Sequence, residues 1–517
     1  MKRLKKHASA SSILFVLIIM NAAIIVAGLA GSADPSWWLL LTIPLLLIAI
    51  RDIIQTKHAI IRNYPVIGHL RYFFESIRPE IRQYFIESDL DGKPFNRRQR
   101  SIVYQRAKSE KQTVSFGMLA NPMAPGFEWV AHSVYPSVLN TKDLRVWIGN
   151  YQCHEPYHAN IYNIGAMSYG ALSKTAIASL NEGAMMGNFA HNTGEGGISE
   201  HHLHGGDLIW QIGTGYFGCR DANGRFNAIT FKRNASRAQV KMIELKLSQG
   251  AKPGHGGILP GSKNTPEIAA IRLVEPGKTI HSPSRHAEFN DAEGMIRFIQ
   301  LLRELSGGKP VGFKLCIGDK KEFTDICDAI IKTKIIPDFI AVDGGEGGTG
   351  AAPLEFTDHI GMPLYDALAF VKQTLETYDL SGDIKVIAAG KIITGFDIVK
   401  AISLGAAACY SARSMMLALG CIQALICDSG RCPVGVATQD PALYKGLHPA
   451  DKKVRVASFH RKTILATIEI MEACGFKNIE SIHPSKFFRR INEYETKSFE
   501  DIYFRKQIPF QKHVLNY

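Results

Sequence analysis

Three cysteines lie within twelve residues of one another and are the clearest candidates for metal ligands in this chain. Their spacing is Cys421-x5-Cys427-x4-Cys432, followed directly by Pro433, whereas the other six cysteines are scattered. Three thiolates can hold an iron–sulfur cluster, and a proline directly after a ligand cysteine also occurs in ferredoxin sequences. Zinc is one alternative, although zinc sites usually show shorter spacings and four ligands. Buried free cysteines are the other, and a large chain with few cysteines does not fit a disulfide scaffold.

Two lysines interrupt apolar runs that we predict to be strands. Lys314 stands in Val-Gly-Phe-Lys-Leu and Lys246 stands in Glu-Leu-Lys-Leu. A lysine in an apolar strand is costly unless it is paired, so the pattern indicates an anionic ligand or cofactor beside each ammonium group. The alternative is that both lysines lie at strand ends and extend their ammonium groups into solvent.

Glycine-rich turns follow two other predicted strands. One turn runs from 343 to 350 as Asp-Gly-Gly-Glu-Gly-Gly-Thr-Gly, and the other covers residues 192–197. So many glycines allow the backbone to approach a flat ligand closely, which makes Gly344 and Gly345 candidate cofactor-binding residues. A flexible surface loop is the alternative for each turn.

Two later turns carry residues that suit a phosphate group. Gly390 and Lys391 precede a helix that opens with Gly395, and Ala412 and Arg413 follow the last predicted strand. Barrels commonly bind phosphate with the loops after strands seven and eight, using backbone N–H groups and a helix start. Taken alone, such turns are more often only tight turns.

These residues can act together only in a fold that brings the ends of several strands close to one another. The sequence of residues 150–480 has a pattern typical of such a fold. Eight short apolar runs end in turns, and helical stretches follow several of them, which predicts an α/β fold, the (β/α)8 TIM barrel. Chemistry gathers at the C-terminal ends of the strands in that fold. A doubly wound open sheet is the alternative. The eight runs are Ile161–Gly165, Asn188–Asn192, Leu208–Gly213, Met242–Leu247, Val311–Ile317, Phe339–Val342, Ile384–Ala389 and Ala408–Ser411.

The N-terminal residues 1–54 have the composition of a membrane anchor. An apolar run from Ser12 to Ala30 is long enough to span a bilayer, and a second run covers Trp37–Ile50. Basic residues flank both outer ends but not the connecting loop. The positive-inside rule therefore predicts a helical hairpin in the cell membrane, multi-pass, with the barrel facing the cytoplasm. A cleaved signal peptide is the alternative.

The remaining segments predict no further catalytic unit. Residues 55–149 are interpreted as a linker and pre-barrel cap, and residues 481–517 as a C-terminal extension. The formal net charge of +13 suits anionic membrane surfaces, phosphate-bearing cofactors or acidic substrates. We find no nucleic-acid-binding motif, and no nucleic acid is expected as a partner.

Several segments together resemble the FMN-binding synthase domain of glutamate synthases, in matching order over roughly residues 150–480. More narrowly, the chain resembles the stand-alone, membrane-anchored members of that FMN-binding family. No single segment is specific, but the set is. The matching segments are 165–173 (Gly-Ala-Met-Ser-Tyr-Gly-Ala-Leu-Ser), 192–197 (Asn-Thr-Gly-Glu-Gly-Gly), 249–254 (Gln-Gly-Ala-Lys-Pro-Gly), 345–351 (Gly-Glu-Gly-Gly-Thr-Gly-Ala), 419–421 (Leu-Gly-Cys) and 432–439 (Cys-Pro-Val-Gly-Val-Ala-Thr-Gln).

The resemblance implies a barrel that holds FMN and a [3Fe–4S] cluster. By resemblance, Lys314 lies where the flavin and a 2-oxo acid meet, and Glu195 lies in the same pocket. The residues implied to line the flavin are Met167, Ser168, Thr193, Gln211 and Lys246. Those implied around its phosphate are Gly390, Gly395, Ala412 and Arg413. The implied cluster ligands are Cys421, Cys427 and Cys432.

The implied chemistry is reductive amination of 2-oxoglutarate, or the reverse reaction, with single electrons passing through the cluster. Complete glutamate synthases begin with a glutaminase domain, whereas this sequence starts Met1-Lys2-Arg3, so ammonia is expected from elsewhere. We find no Gly-x-Gly-x-x-Gly motif after a strand, which predicts a separate electron donor, a ferredoxin or a reductase.

Two departures from the family pattern leave the substrate open. Tyr216 and His255 stand where arginine and glutamate are expected. A similar 2-oxo acid is therefore an alternative to 2-oxoglutarate. Two alternative functions remain at this point: a flavin-dependent oxidoreductase for another amino or 2-oxo acid coupled to a membrane partner, and a non-catalytic membrane-tethered binding subunit.

Overall fold

The computed structural model describes residues 10–31, 35–110 and 112–505, and the chain divides into two compact units, residues 1–97 and 98–517. The first unit opens with two helices that pack against each other, Ala10–Leu29 and Leu39–Ile54, joined through the short turn Pro35–Trp38. Between them the Thr42 hydroxyl donates a hydrogen bond of 2.9 Å to the Asn21 side-chain oxygen.

Of the helices described, one is long and apolar enough to cross a bilayer, over Ser12–Leu29. Helix Leu39–Ile54 has only 16 residues, contains Pro44, and carries Arg51 and Asp52 near its end. The predicted hairpin of two spanning helices is therefore corrected to one candidate span. The length and composition of this helix fit both a membrane span and an N-terminal signal sequence.

The rest of the first unit contains three further helical segments. Its helices are Ala59–Asn63, Gly68–Ile81 and the π-helical turn Arg82–Ile86. Asp52, which is almost fully buried, accepts hydrogen bonds from the Val66 backbone N–H and the His69 ring at 2.9 Å. The buried carboxylate therefore ties the end of helix Leu39–Ile54 to the start of the segment that follows.

The second unit is built on a closed barrel of eight parallel strands, each paired with its neighbour in sequence and the eighth with the first. This arrangement confirms the (β/α)8 prediction, and all eight predicted runs overlap an observed strand; the open-sheet alternative is wrong. The strands are β1 Tyr162–Ile164, β2 His191–Asn192, β3 Leu208–Ile212, β4 Val240–Lys246, β5 Val311–Leu315, β6 Phe339–Asp343, β7 Lys385–Ala389 and β8 Ala408–Ser411.

Helices surround the barrel and position its loops. The longest, Pro449–Ala473, packs against Lys174–Gly187 and Gly395–Ser403. The side chains of Ser173, Asn227, Thr265 and Asp291 cap helix N-termini. The other helices of this unit are Arg97–Ala107, Ala228–Ala235, Pro266–Arg272, Ala292–Leu305, Lys320–Thr333, Leu354–His359, Leu364–Thr377, Arg413–Leu419, Pro441–Tyr444 and Phe499–Tyr503.

Two of the small antiparallel sheets outside the barrel involve the segments that precede and follow it. The antiparallel hairpin of Arg145–Ile148 with Tyr157–Asn160 contributes Ile148 and Ala159 to an apolar cluster with the barrel strands. Strand Glu128–Val130 pairs antiparallel with Phe487–Arg490, which pairs in turn with Thr496–Ser498. The segments interpreted as cap and C-terminal extension thus form one sheet together.

Candidate active site

A buried ion pair lies at the carboxyl ends of two neighbouring strands, β5 and β6. The Lys314 ammonium group is 3.2 Å from an Asp343 carboxylate oxygen, and the two side chains are 9% and 8% exposed. Burial alone would lower the pKa of Lys314, but the nearby carboxylates of Asp343 and Glu244 outweigh it and raise that pKa. Lys314 therefore stays charged and does not extend into solvent.

A second pair lies beside the first, on strand β4. Lys246 is the direct neighbour of Lys314 in the strand register, and its ammonium group is 3.0 Å from a Glu195 carboxylate oxygen. Two adjacent ammonium groups repel each other, so each needs its own acid. Asp343 and Glu195 supply those acids, and the two pairs together form a compact charged cluster at the mouth of the barrel.

The position of Glu195 depends on two glycines. A Cβ atom on Gly213 would lie 2.7 Å from one Glu195 carboxylate oxygen, and a Cβ on Gly257 would lie 2.6 Å from the other. Burial alone would raise the pKa of Glu195, but the positive charge around it, chiefly that of Lys246, holds the pKa below its ordinary value. The carboxylate is thus confined sterically and kept ionised.

Two further cations, Lys252 and Arg272, lie around Glu195 and were not predicted as site residues. Lys252 is 7% and Arg272 is 5% exposed. Burial lowers the pKa of both groups, that of Arg272 to about 10, while Glu195 opposes the shift. Arg272 donates to the Tyr169 carbonyl at 3.1 Å. With Lys246, three cations surround one carboxylate, so this pocket has a surplus of positive charge that suits an anionic substrate.

Of these two cations, only Lys252 could have been predicted as a site residue from a sequence pattern. Lys252 falls in the segment 249–254 that carries the family resemblance. Arg272 ends helix Pro266–Arg272, and its guanidinium lies 5.0 Å from the centre of the Phe217 ring. That contact joins distant parts of the chain, and no local pattern predicts it.

A hydrogen-bonded network of polar side chains fills the barrel below the charged cluster. Asn192 and Gln211 both donate to one oxygen of Glu244, at 2.8 and 2.7 Å. The other Glu244 oxygen is buried and has no hydrogen-bond partner among the residues described. Thr193 accepts a hydrogen bond from the Gln211 backbone N–H at 3.2 Å. The Gln211 amide is therefore fixed toward the barrel interior. Glu244 was not predicted as a site residue, because its neighbours in the sequence form no recognisable pattern.

The loops after β1 and β2 pack closely, which brings Met167 and Ser168 to the mouth. Gly194 has a φ of +63°, and a Cβ there would lie 2.7 Å from the Ser168 backbone nitrogen. Arg272 lies 3.4 Å from the Ser168 hydroxyl and donates to it. These two predicted flavin-lining residues therefore share one loop surface with the charged cluster.

The predicted cofactor glycines after β6 lie where two loops cross. The Gly344 backbone N–H donates to the Ala389 carbonyl at 2.9 Å, and the Gly345 N–H donates to the Met362 carbonyl at 2.8 Å. A Cβ on Gly250 would overlap the Gly344 carbonyl. The glycines thus permit a close approach of backbone to backbone, and their N–H groups are already used within the protein.

Three of the four residues predicted around a phosphate lie together after β7 and β8. Gly390 has a φ of +146°, Ala412 is the N-cap of helix Arg413–Leu419, and no side chain caps that helix. The Arg413 guanidinium donates to the Glu346 carbonyl at 2.7 Å. Burial lowers the pKa of Arg413, opposed by Asp343 and Glu346.

Gly395 has a different surrounding from the other three. A Cβ there would lie 2.7 Å from the Thr467 backbone nitrogen in the long helix Pro449–Ala473. The first N–H groups of its own helix are capped by Thr394 and Asp397. Close helix packing therefore requires a glycine at this position, and the predicted contact of Gly395 with a phosphate stays a prediction.

The three clustered cysteines share one loop between helices Arg413–Leu419 and Pro441–Tyr444. Burial raises the pKa of Cys421 to about 11, and Cys427 and Cys432 add to that effect, since the three thiols lie near one another. Among the described residues, no three histidine, cysteine or acidic side chains are arranged to hold a metal ion. The assignment of these cysteines as cluster ligands stays a prediction.

Hydrogen bonds attach the cysteine loop to the loop after β1. The Gln439 side chain donates to the Gly170 and Leu172 carbonyls at 3.2 and 2.8 Å. The Ser173 hydroxyl donates to the Gly435 carbonyl at 2.6 Å. The predicted metal ligands and the predicted flavin-lining residues Met167 and Ser168 are thus carried by loops that are bonded to each other.

Comparisons with known proteins place residues 136–477 in the family described as the conserved region in glutamate synthase. The chain is 38% identical to the Bacillus subtilis glutamate synthase large subunit-like protein YerD, over 86% of this chain and 93% of that one. It is 36% identical to the archaeal-type glutamate synthase [NADPH] of Thermotoga neapolitana, covering 64% of this chain and 63% of that enzyme.

Solved structures resemble the chain only weakly. One is a mandelate oxidase variant with a monooxide FMN adduct, 15% identical, with a TM-score of 0.41 and coverage of 83% of this chain and 99% of that one.

Proposed function

The chain belongs to the glutamate synthase family, and we propose that it is an FMN-dependent, glutamate synthase-like enzyme that aminates 2-oxoglutarate reductively or runs the reverse reaction. It is an oxidoreductase of the class that acts on CH–NH2 donors, as its relatives named glutamate synthase [NADPH] are. The observation that carries the proposal is the charged cluster of Lys246, Glu195, Lys314 and Asp343, with Lys252 and Arg272 beside it.

The surplus cations in this cluster suit a dicarboxylic 2-oxo acid. Lys252 and Arg272 are buried beside Glu195 and would neutralise carboxylate groups of the substrate. Charge-assisted hydrogen bonds of this kind are about twice as strong as neutral ones, so they would also fix the orientation of the substrate. The tight approach of the loop 248–260 over Gly344 would exclude water from the bound acid.

Two residues are positioned to handle charge during the reaction. Glu195, held ionised, would bind the incoming ammonium ion, which loses a proton to water before the ammonia so formed attacks the carbonyl. Lys314, which stays charged, would polarise the resulting imine. In balance, one 2-oxoglutarate, one ammonium ion, two electrons and two protons give one glutamate and one water.

Several residues would suit the FMN that the family implies, whereas the iron–sulfur cluster rests on the spacing of the three cysteines alone. Helix Arg413–Leu419 begins without a side-chain cap after β8, which suits a phosphate, and Met167, Ser168, Thr193, Gln211 and Lys246 would hold the flavin ring. The proposed [3Fe–4S] cluster would be held by Cys421, Cys427 and Cys432. When bound, FMN would supply a hydride to the imine and the cluster would supply single electrons.

Electrons and ammonia would come from separate partners. We propose a ferredoxin or a reductase as the donor, since the sequence contains no nucleotide-binding glycine motif after a strand. The ammonia source would be free ammonium or another protein. Efficient oxidation of NADPH by the purified chain alone would contradict the proposed donor.

We also propose attachment to the cell membrane through residues 12–29, with the barrel in the cytoplasm. With one span the two ends of the chain lie on opposite sides of the membrane, so the side given to the barrel rests on its cysteines and not on the flanking charges. None of the nine cysteines forms a disulfide, as expected in a reducing compartment. Membrane fractionation and protease accessibility in inverted vesicles test this location, and a mature N-terminus beyond Gly31 would instead indicate signal-peptide cleavage.

A second candidate function is oxidation or amination of a different amino or 2-oxo acid. His255 lines the small cavity next to Lys252 and Glu195, where it changes the polar surface offered to a substrate. Steady-state assays of the reduced full-length protein with ammonium and a panel of 2-oxo acids separate the two functions. A preference for 2-oxoglutarate supports the first, and a strong preference for another acid supports the second.

A further inference from the structure

Helix Gly68–Ile81 and the π-helical turn that continues it, Arg82–Ile86, carry one continuous apolar face. Its residues recur three or four positions apart, which is the spacing of side chains that share one side of a helix. In a folded protein such a face normally packs against another apolar surface. The members of this face, called the aromatic face below, are Leu70, Phe73, Phe74, Ile77, Ile81, Tyr84 and Phe85.

Most of the aromatic face is exposed. Five of its side chains are between 53% and 84% exposed, namely Leu70, Phe73, Phe74, Tyr84 and Phe85. Single exposed apolar residues are ordinary, but a contiguous apolar patch marks a surface that binds a protein or a membrane. The aromatic face therefore requires an apolar partner.

Three exposed arginines follow one edge of the aromatic face, while Glu80 lies on the other edge. The three are Arg71, Arg78 and Arg82, spaced seven and four positions apart. Arg71 pairs with Glu75 at 3.2 Å and Arg82 with Glu87 at 3.8 Å. An exposed guanidinium group can exchange such a pair for a phosphate, which it binds through two parallel hydrogen bonds. An aromatic face beside a row of arginines is typical of a helix that lies on a phospholipid surface.

Direct contacts connect this helix to the apolar helices that precede it. Asp52, near the end of helix Leu39–Ile54, accepts a hydrogen bond of 2.9 Å from the His69 ring. A Cβ on Gly68 would lie 2.9 Å from the Ile61 Cα, so the start of the helix packs closely on the short helix before it. Helix Leu39–Ile54 itself packs against the helix that contains the candidate span. This continuity favours a bilayer, rather than a soluble protein, as the partner of the aromatic face.

We propose that the aromatic face lies in the headgroup region of a phospholipid bilayer, with the helix axis along the membrane surface. The inference rests on the proposed membrane attachment and is independent of the proposed reaction. The aromatic rings sit at the boundary between headgroups and acyl chains, where amphipathic rings are enriched. The arginines extend their guanidinium groups to the lipid phosphates. This contact gives the chain a second attachment to the membrane besides residues 12–29.

The test is photo-crosslinking of the full-length protein in vesicles of phosphatidylethanolamine and phosphatidylglycerol. The photoreactive residue benzoylphenylalanine replaces Phe73 in one variant and Phe85 in a second. It replaces Glu75 in the matched control, because Glu75 is 62% exposed and lies on the opposite side of the helix from Phe73. Lipid adducts are measured by mass spectrometry after irradiation. Their yield at Phe73 and at Phe85 should exceed that at Glu75 by at least about fivefold.

Each outcome decides the inference. Lipid adducts at Phe73 or Phe85 in that excess support it, and a smaller excess at both positions overturns it. Adducts at both positions that join two copies of the chain, or join the helix to the barrel, also overturn it. Wild-type protein that does not float with the vesicles in a density gradient contradicts the proposed membrane attachment and this inference with it. Protein that floats without lipid adducts at the aromatic face overturns this inference alone.

Discussion

Removing the Lys314 ammonium group is expected to cost far more stability than its single contact suggests. Lys314→Met leaves the Asp343 carboxylate, 8% exposed, without its cation. Breaking a buried ion pair by removing one partner typically costs about 3–5 kcal/mol, since a buried charge is left uncompensated. Asp343 also accepts a hydrogen bond of 3.0 Å from the Gly250 backbone N–H, so the loop over the site should loosen as well.

A double-mutant cycle separates the pair from its surroundings. Asp343→Asn alone leaves a buried ammonium group, and the combination with Lys314→Met removes both charges. The double variant should therefore be less destabilised than the sum of the single variants, by about 1–3 kcal/mol. The assay is urea denaturation of detergent-solubilised protein, followed by near-ultraviolet circular dichroism.

The control pair is Lys321 with Asp325, which are 2.6 Å apart on an exposed helix surface. Lys321→Met should leave the denaturation midpoint unchanged, because solvent screens exposed pairs. Two results would refute the claim that the pair is buried and mutually dependent. One is that the losses in free energy of unfolding simply add in the Lys314–Asp343 cycle. The other is that Lys314→Met loses no more of that free energy than Lys321→Met does.

Three further perturbations follow from the same structure. Gly213→Ala should displace the Glu195 carboxylate and lower turnover at least tenfold with little change in the denaturation midpoint, as measured by steady-state assay. Acidification should destabilise the protein, because burial lowers the pKa of His286 to about 4, while the pKa of a histidine in the unfolded chain is about 6.5. The unfolded state binds the extra proton between those values, so stability falls by up to about 1.4 kcal/mol per pH unit for this histidine, a slope that His286→Gln should reduce in pH-dependent denaturation. Cys432→Ser should lower iron content, measured by chelation of iron released in acid.

Matched variants show what would contradict these expectations. Gly318→Ala has open space for a Cβ and should be silent, so an equal loss of turnover there would undermine the steric argument at Gly213. Cys327 is a buried cysteine outside the cysteine loop, so the Cys327→Ser variant should have the iron content of the wild-type protein. A His286→Gln variant with an unchanged pH slope would show that this ring is not held neutral by burial.

The barrel was predictable because its strands are short apolar runs that end in glycine or acidic turns, a pattern set by local sequence. Boundaries were less predictable. The run predicted from Asn188 shrinks to His191–Asn192, because Asn188 takes a left-handed conformation at φ 52° that ends the preceding helix. The local sequence therefore predicted the number of strands correctly but not their lengths.

The candidate site was predicted only in part, since several of its features arise from tertiary contacts. Lys314 was predicted from its apolar neighbours and Glu195 from its glycine-rich turn. The structure places both side chains at the same end of the barrel. Arg272 and Glu244 were not predicted as site residues. Helix packing buries Arg272, and the inward direction of its side chain on β4 buries Glu244. The close approach of Gly395 to the helix at Thr467 was not predicted, because it joins distant parts of the chain.

The most direct test of the central claim is a single-turnover reaction of anaerobically reduced full-length protein with 2-oxoglutarate and ammonium. The absorbance of oxidised flavin is followed, and glutamate is measured after quenching. The account predicts that flavin reoxidation requires both reactants and yields about one glutamate per flavin. Reduced flavin that stays reduced with both reactants present, or reoxidises without forming glutamate, would contradict it.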